Sequence, residues 1–500
     1  MATDPPPPHP AGGDIAALAK GGQTNFFGFL LRLAARIPFL FIAGRLYGDE
    51  SLGRFAAALV IIELASQVAT LGQKRGLAQA LSQEDAPQVH VIFDALVMAG
   101  IAALGLTALL FLFPDPMFPS GRNGELSILL PLGILPYALT EVALAALAYR
   151  YDIGATVKAR AVVEPWTISI AAGAFFFVVP DSGLALAYVV SVFAAVLAAF
   201  WPLIRTFGWP IGWRPDARRI WKLALRNLPL AGADAVEWGT RRVDIAVLAW
   251  FATPSAVGVY YVAQQVASLP QKLKTSFEPI LGPVITRALK DKDYASIAKQ
   301  VRQVGFWILA MQAGIALALG IPGEAVMGLL GPDFVGGTGA LAFLLLAEVV
   351  AALAVVSEAA LIYMARIRNL WISIATIVFQ AGLTIGAMLA IDAYDLPELW
   401  RAAAAAAALA LTLFIASVVK STLLGRMLGH PINNFRWPLI YAAAPAIIVG
   451  LLMIRLPEWV ELLVGIPLIL AAYGVVIWYR GFGPEDRVLF SRKVRDNAEG

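Results

Sequence analysis

From Phe26 onward, apolar segments of about 18–25 residues recur along almost the whole chain. Each is long enough to cross a hydrocarbon layer of about 30 Å as a helix. The spans run 26–46, 53–72, 91–113, 126–149, 162–180, 184–204, 229–251, 257–277, 304–321, 338–363, 371–391, 401–424, 438–455 and 462–480. None alternates apolar and polar residues as a barrel strand would. The expected fold is an all-α polytopic membrane protein with fourteen transmembrane helices. Composition agrees: hydrophobic residues make up 59% of the 500 and charged residues 14%. Mean hydropathy is +0.74. A soluble chain cannot hide that much apolar side chain from water.

Other classes fall away. Cysteine is absent, which removes disulfides, thiolate metal sites and cysteine nucleophiles. His9, His90 and His430 are scattered and form no multi-histidine cage. Residues 1–25, with Pro5-Pro6-Pro7-Pro8, read as a disordered tail. No cleavable signal precedes the first span, so that span is expected to do the targeting. The longest connection, 205–228, splits the chain near its middle. The expected organisation is an N-lobe at 26–204 (helices 1–6), a linker at 205–228 and a C-lobe at 229–424 (helices 7–12). Helices 13–14 follow at 425–480, then a tail at 481–500.

The connections carry a strong charge bias. With the N-terminus placed in the cytoplasm, alternate connections put 27 lysines and arginines on the cytoplasmic side and 2, Arg122 and Arg455, on the other. The opposite side is acidic: Asp49, Glu50, Asp115, Asp181, Glu324, Asp333, Asp392, Asp395 and Glu398. This is a positive-inside pattern, and it places both termini in the cytoplasm. The basic loops therefore report topology, not nucleic-acid binding.

The two halves share a weak repeat at an offset of 205 residues. Arg36 matches Arg241, Gly53 matches Gly258, Phe55 matches Tyr260 and Ala58 matches Ala263. Each arginine lies inside the first helix of its half, and each glycine opens the second. Repeats of this kind are common in transporters, with substrate held between halves.

A charge deep in a membrane helix costs at least about 2.5–3.5 kcal/mol and is kept where it meets a partner or a wet cavity. The first helix carries Arg32 and Arg36, four residues apart and so on one face. The seventh carries Asp234, Glu237, Arg241, Arg242 and Asp244. Two readings stand. In one, Arg36 and Arg241, helped by Arg32 and Arg242, line a cationic cavity where these helices meet; guanidinium groups bind phosphate bidentately and stay charged. In the other, Arg241 pairs with Glu237 or Arg242 with Asp244 as structural ion pairs. Glu63, Glu141, Glu348 and Glu358 are further buried acids that either fix packing or take up a proton during transport. Lys272 and Lys274 are interfacial anchors or steer an anionic head group inward. Gln264 and Gln265 bond sugar hydroxyls or a neighbouring helix. Gly53 and Gly258 either permit a close approach near a hinge or simply start helices.

The stretch Ala34-Ala35-Arg36-Ile37-Pro38 through Gly44-Arg45-Leu46-Tyr47-Gly48-Asp49-Glu50-Ser51-Leu52-Gly53-Arg54-Phe55 resembles the opening of the Wzx-type polysaccharide flippases. There, a first helix ends in a Tyr-Gly-Pro-Glu-like turn, and a glycine followed by an aromatic starts the second. Asp49 stands where that pattern has proline. Ala69-Thr70-Leu71-Gly72 with Arg75 is similar to the family's turn into its first cytoplasmic loop. The resemblance covers residues 34–75 and the topology, and is weaker in the second half.

It implies membership of the multidrug/oligosaccharidyl-lipid/polysaccharide exporter superfamily, with two six-helix lobes, in a bacterial inner membrane. The implied cargo is an undecaprenyl-pyrophosphate-linked oligosaccharide, carried by alternating access with its polyprenyl tail left in lipid. Surface polysaccharides such as O-antigen or exopolysaccharide would be the product. Membrane lipid is the expected surrounding, and polysaccharide polymerase and export machinery are the expected partners. On this reading Arg32, Arg36, Arg241, Arg242 and Lys274 bind substrate, while Glu63, Asp234, Glu237 and Asp244 act in coupling or ion pairing. No cofactor or metal is implied; a proton or sodium gradient is the candidate drive, with Glu63 or Asp234 as coupling acids. Rivals are a peptidoglycan lipid-precursor flippase and a multidrug or metabolite antiporter, though a site for cationic drugs favours acids without clustered arginines. A membrane glycosyltransferase is disfavoured by the short outward loops, so the chain is not expected to be an enzyme.

Overall fold

The computed structural model describes residues 37–83, 86–150, 152–271, 289 and 292–483. Arg32, Arg36, Lys272 and Lys274 lie outside the described residues, as do residues 1–25 and 484–500. Every regular element among the described residues is helical. In chain order these are α1 (37–47), α2 (Gly48–Ala69), α3 (Gln73–Gln83), α4 (Gln88–Leu112), α5 (Glu125–Tyr149), α6 (153–176), α7 (Gly183–Phe207) and α8 (Ala217–Phe251). There follow α9 (Pro254–Gln271), α10 (Tyr294–Gly320), α11 (Gly323–Leu330), α12 (Thr338–Met364), α13 (Arg366–Ala393), α14 (Leu399–Leu428), α15 (Pro438–Met453) and α16 (Glu458–Gly481). Each of the fourteen expected spans overlaps one of these helices; α3 and α11 are additional short ones.

Two boundaries differ from expectation in ways that bear on function. Helix α8 begins at Ala217 and not near 229, because Asp216 caps it by accepting hydrogen bonds from the backbone N–H groups of Arg218 and Arg219 at 2.9 and 3.3 Å. Most of the expected linker is therefore helix. Its Leu223 packs in a cluster with Leu77, Leu96 and Leu203, all from the first half of the chain. Helix α6 begins at 153 and not at 162, which puts Arg160 inside a helix.

The turn between α2 and α3 explains the Leu71-Gly72 pair. Both residues have positive φ, 47° and 71°. A side chain at Gly72 would collide with the backbone of Asn227 and Ala231 in α8. Only glycine serves both needs there.

The interior is built from close helix pairs. Helix α2 packs along α9 and α8, α6 on α7, α4 and α5 on each other, and α12 on α14. Helices α15 and α16 pair with each other and lie against α10. One apolar cluster joins α2 to α8, α9 and α12 through Phe55, Ile62, Leu248, Val262 and Leu344. Many large apolar side chains on the outer faces remain exposed, such as Ile101, Leu197, Val378 and Leu463. That is the surface a bilayer would cover.

Candidate functional site

The two halves meet first at the acidic end. Gly53 of α2 and Gly258 of α9 face each other so closely that a Cβ on Gly53 would overlap the carbonyl oxygen of Pro254, and one on Gly258 that of Asp49. The contact is reciprocal at the sequence offset, since Asp49 and Pro254 are also 205 residues apart. The glycine match thus has a steric cause: two small residues let two backbones touch. The Ser255 hydroxyl donates to Asp49 Oδ2 beside this crossing. Gly44 lies against the carbonyl of Leu330, and the Arg45 guanidinium donates to the Gly328 and Leu329 carbonyls at the end of α11. Cations are favoured at a helix C-terminus. The Gly44–Gly53 stretch is therefore a fastening between halves. Arg45, Arg54 and Arg401 all belong to this end besides Arg122 and Arg455; Arg54 pairs with Glu50, and Arg401 with Asp392 and Glu398.

Deeper between α2 and α8, polar groups replace the glycines. Arg242 Nε lies 3.3 Å from Glu63 Oε2 of α2, and its Nη1 donates to Gln264 Oε1 of α9 at 2.9 Å. Gln264 Nε2 donates to Asp244 Oδ2 at 3.0 Å, and the Tyr260 hydroxyl donates to the same oxygen. Asp244 is fully buried and accepts also from the Ile245 backbone N–H. The alternative Arg242–Asp244 pair does not form; Gln264 stands between them, and Arg242 reaches across to the other half.

Toward the Lys/Arg-rich end the polarity of the bridge reverses. Arg75, at the start of α3, pairs through Nε with Asp234 of α8 at 2.7 Å and through Nη2 with Glu237. Arg241 reaches Glu237 only at 3.4 Å, and its side chain is 48% exposed. It lies about 15 Å from the end of α8 at Phe251, roughly half the thickness of a hydrocarbon layer. The Arg241–Glu237 ion pair anticipated as a structural alternative thus exists, but it is long and open.

The first half contributes a network whose cations, Lys74 and Arg160, count as loop charges in the sequence. Arg160 of α6 pairs with Glu141 of α5 at 2.6 Å and Glu164 at 2.5 Å, and sits 4.3 Å above the Tyr137 ring. Lys74 Nζ reaches Glu141 at 3.5 Å. Gln67 of α2 donates to the Tyr137 hydroxyl at 3.1 Å. The recoverable signal was the i,i+4 spacing of Arg160 and Glu164 on one helix face. Elsewhere, Glu358 pairs with Lys420 at 2.9 Å between α12 and α14, and Glu348 lies half-buried on α12. Of the expected site residues, Arg241, Arg242, Glu63, Asp234, Glu237 and Asp244 are brought onto one continuous α2–α8–α9 seam. Groups of three or more His, Asp or Glu side chains suited to a metal ion do not occur among the described residues.

Comparison with known proteins places this geometry. The profile of the polysaccharide biosynthesis protein family matches residues 42–320. The chain belongs to that family. Its match contains the fastening at Gly44–Gly53 and the whole α2–α8–α9 seam. A search of curated protein sequences found no match. Among solved structures, the lipid II flippase MurJ in an inward closed conformation is similar, with a TM-score of 0.69 at 12% identity over 91% of this chain and 98% of that one. An inward-facing multidrug resistance MATE family transporter of the MOP superfamily gives 0.64 at 15% identity over 80% and 98%. These likenesses establish a MurJ- and MATE-like fold.

Proposed function

We propose that the protein is a flippase that carries polyprenyl-pyrophosphate-linked oligosaccharides across the bacterial inner membrane for surface polysaccharide synthesis. The observation that carries this reading is the α2–α8 seam. There, Arg75, Arg241 and Arg242 stand beside carboxylates at successive depths, with Arg75 and Arg241 half-exposed. A pyrophosphate offers the same bidentate acceptors as those carboxylates. It can displace Glu237 from Arg241, then Glu63 from Arg242, and so progress inward without any arginine being left bare. Arg32, Arg36 and Lys274 are assigned to the same path by their charge and their place in or beside the apolar spans.

On this proposal the Lys/Arg-rich end faces the cytoplasm, together with both termini, and the acidic end faces the periplasm. The lobes at 26–204 and 229–424 rock about the Gly53–Gly258 crossing, and the polyprenyl tail stays in lipid. Glu63 and Asp234 are the acids placed to couple a proton or sodium gradient, because substrate would release them from their arginines. Polymerase and export machinery would take the delivered repeat unit.

The test is a deletion strain. It should accumulate lipid-linked repeat units on the cytoplasmic leaflet and lose surface polysaccharide; depletion of those units would instead indicate a synthetic enzyme. The second reading, a flippase for the peptidoglycan lipid precursor, draws support from the higher TM-score of the MurJ match. It requires the deletion to accumulate that precursor.

A further inference from the structure

The first three turns of α8 and the connection before them form an unusual surface. Between Trp201 and Leu228 the sole acid is Asp216, and it is spent on capping α8. Arg205, Arg214, Arg218 and Lys222 are exposed, and no carboxylate pairs with any of them among the described residues. Arg218, Lys222 and Arg226 recur every four residues and share one face of the helix. Arg226 Nε and Nη2 are buried without a hydrogen-bond partner. Beside this cationic stripe runs an apolar one, Trp221, Leu225 and Leu228, all more than half exposed, and Trp209 and Ile211 extend it into the connection.

The surface is also held rigidly. Asp94 of α4 is fully buried and binds both Arg219 and the Trp213 indole N–H, the latter at 3.0 Å. Trp213 packs on Phe93 at 5.6 Å between ring centroids. The connection that joins the two halves is thereby pinned to the first half. Its exposed cations keep their spacing with Asp216 as the sole acid among them.

We propose that residues 205–226 are a docking surface for anionic phospholipid head groups of the leaflet at the Lys/Arg-rich end, preorganised by Asp94. A stripe of unpaired cations flanked by exposed Trp, Ile and Leu is complementary to a layer of phosphates above acyl chains. A topological charge bias alone needs neither the helical register nor the buried clip.

The experiment uses the full-length protein, purified and stripped of lipid, then titrated with phosphatidylglycerol or phosphatidylcholine while bound lipid is read by native mass spectrometry. The protein should retain phosphatidylglycerol in clear preference. The combined variant Arg214→Gln, Arg218→Gln, Lys222→Gln should bind it about a hundredfold more weakly, roughly fivefold for each cation removed. If that variant fails to fold, Lys222→Gln alone should show the fivefold loss. Equal retention of the two lipids, or unchanged affinity in the variants, overturns the proposal. Displacement of bound phosphatidylglycerol by a short-chain prenyl pyrophosphate at equal concentration would overturn it too, by assigning the surface to substrate.

Discussion

Arg241 and Arg160 show how differently two arginines in one bundle behave. Arg241 holds one long ion pair in an open setting, of the kind that contributes about 0–1 kcal/mol. Arg241→Ala should therefore leave the melting temperature nearly unchanged while abolishing delivery of polysaccharide to the cell surface, and Arg241→Lys should restore only part of it. Normal surface polysaccharide in the alanine variant would remove Arg241 from the path. Arg160 is largely enclosed between two carboxylates and an aromatic face. Arg160→Ala leaves Glu164 uncompensated and Glu141 with only the longer Lys74 contact, and should destabilise the protein by about 3 kcal/mol. Thermal melting checks this, and adding Glu141→Gln and Glu164→Gln should recover much of the loss. The sequence exposed Arg241 because it interrupts an apolar span. It concealed Arg160, which falls before the apolar run of its helix and counts equally well as a loop cation.

At the level of helices, the spans were legible because hydropathy is a sum over twenty residues and tolerates local error. Their ends were not, because they depend on single caps. The early start of α8 rests on Asp216, in a stretch so rich in cations that it reads as a loop. Helix α3 escaped notice because its eleven residues are apolar on one side only, with Gly76, Leu77 and Ala80 turned inward. The Gly53 and Gly258 correspondence could be seen in the sequence, but the contact between them could not, since an offset carries no distance. Gly53→Ala or Gly258→Ala must push α2 and α9 apart. Each should cost about 1–3 kcal/mol by overcrowding and lower the melting temperature. Ala57→Gly, on the same helix, supplies a control that loosens packing without blocking the crossing.

Across the whole molecule, both ends of the seam are fastened at once. Asp49 and Ser255 join the halves at the acidic end, and Arg75 joins Asp234 and Glu237 at the other. Since the chain has no cysteine, introduced thiols would report without background. The pair Asp49→Cys, Ser255→Cys should cross-link with a short bis-thiosulfonate and halt transport until reduced. The pair Arg75→Cys, Asp234→Cys should do the same at the opposite end. A cross-linked acidic end that still transports would rule out separation of the halves there.

The crossing at Gly53 and Gly258 has the form of a contact between identical subunits, each presenting one patch to the other. Its chemistry is not equally shared, however. The image of Ser255 under the 205-residue offset is Glu50, and the image of Asp49 is Pro254, which has no side-chain acceptor to offer. One flank of the pseudo-twofold axis is therefore bonded through side chains and its mirror flank is bare. The halves should peel from the bare flank first, which gives a nearly symmetric joint a preferred direction of opening.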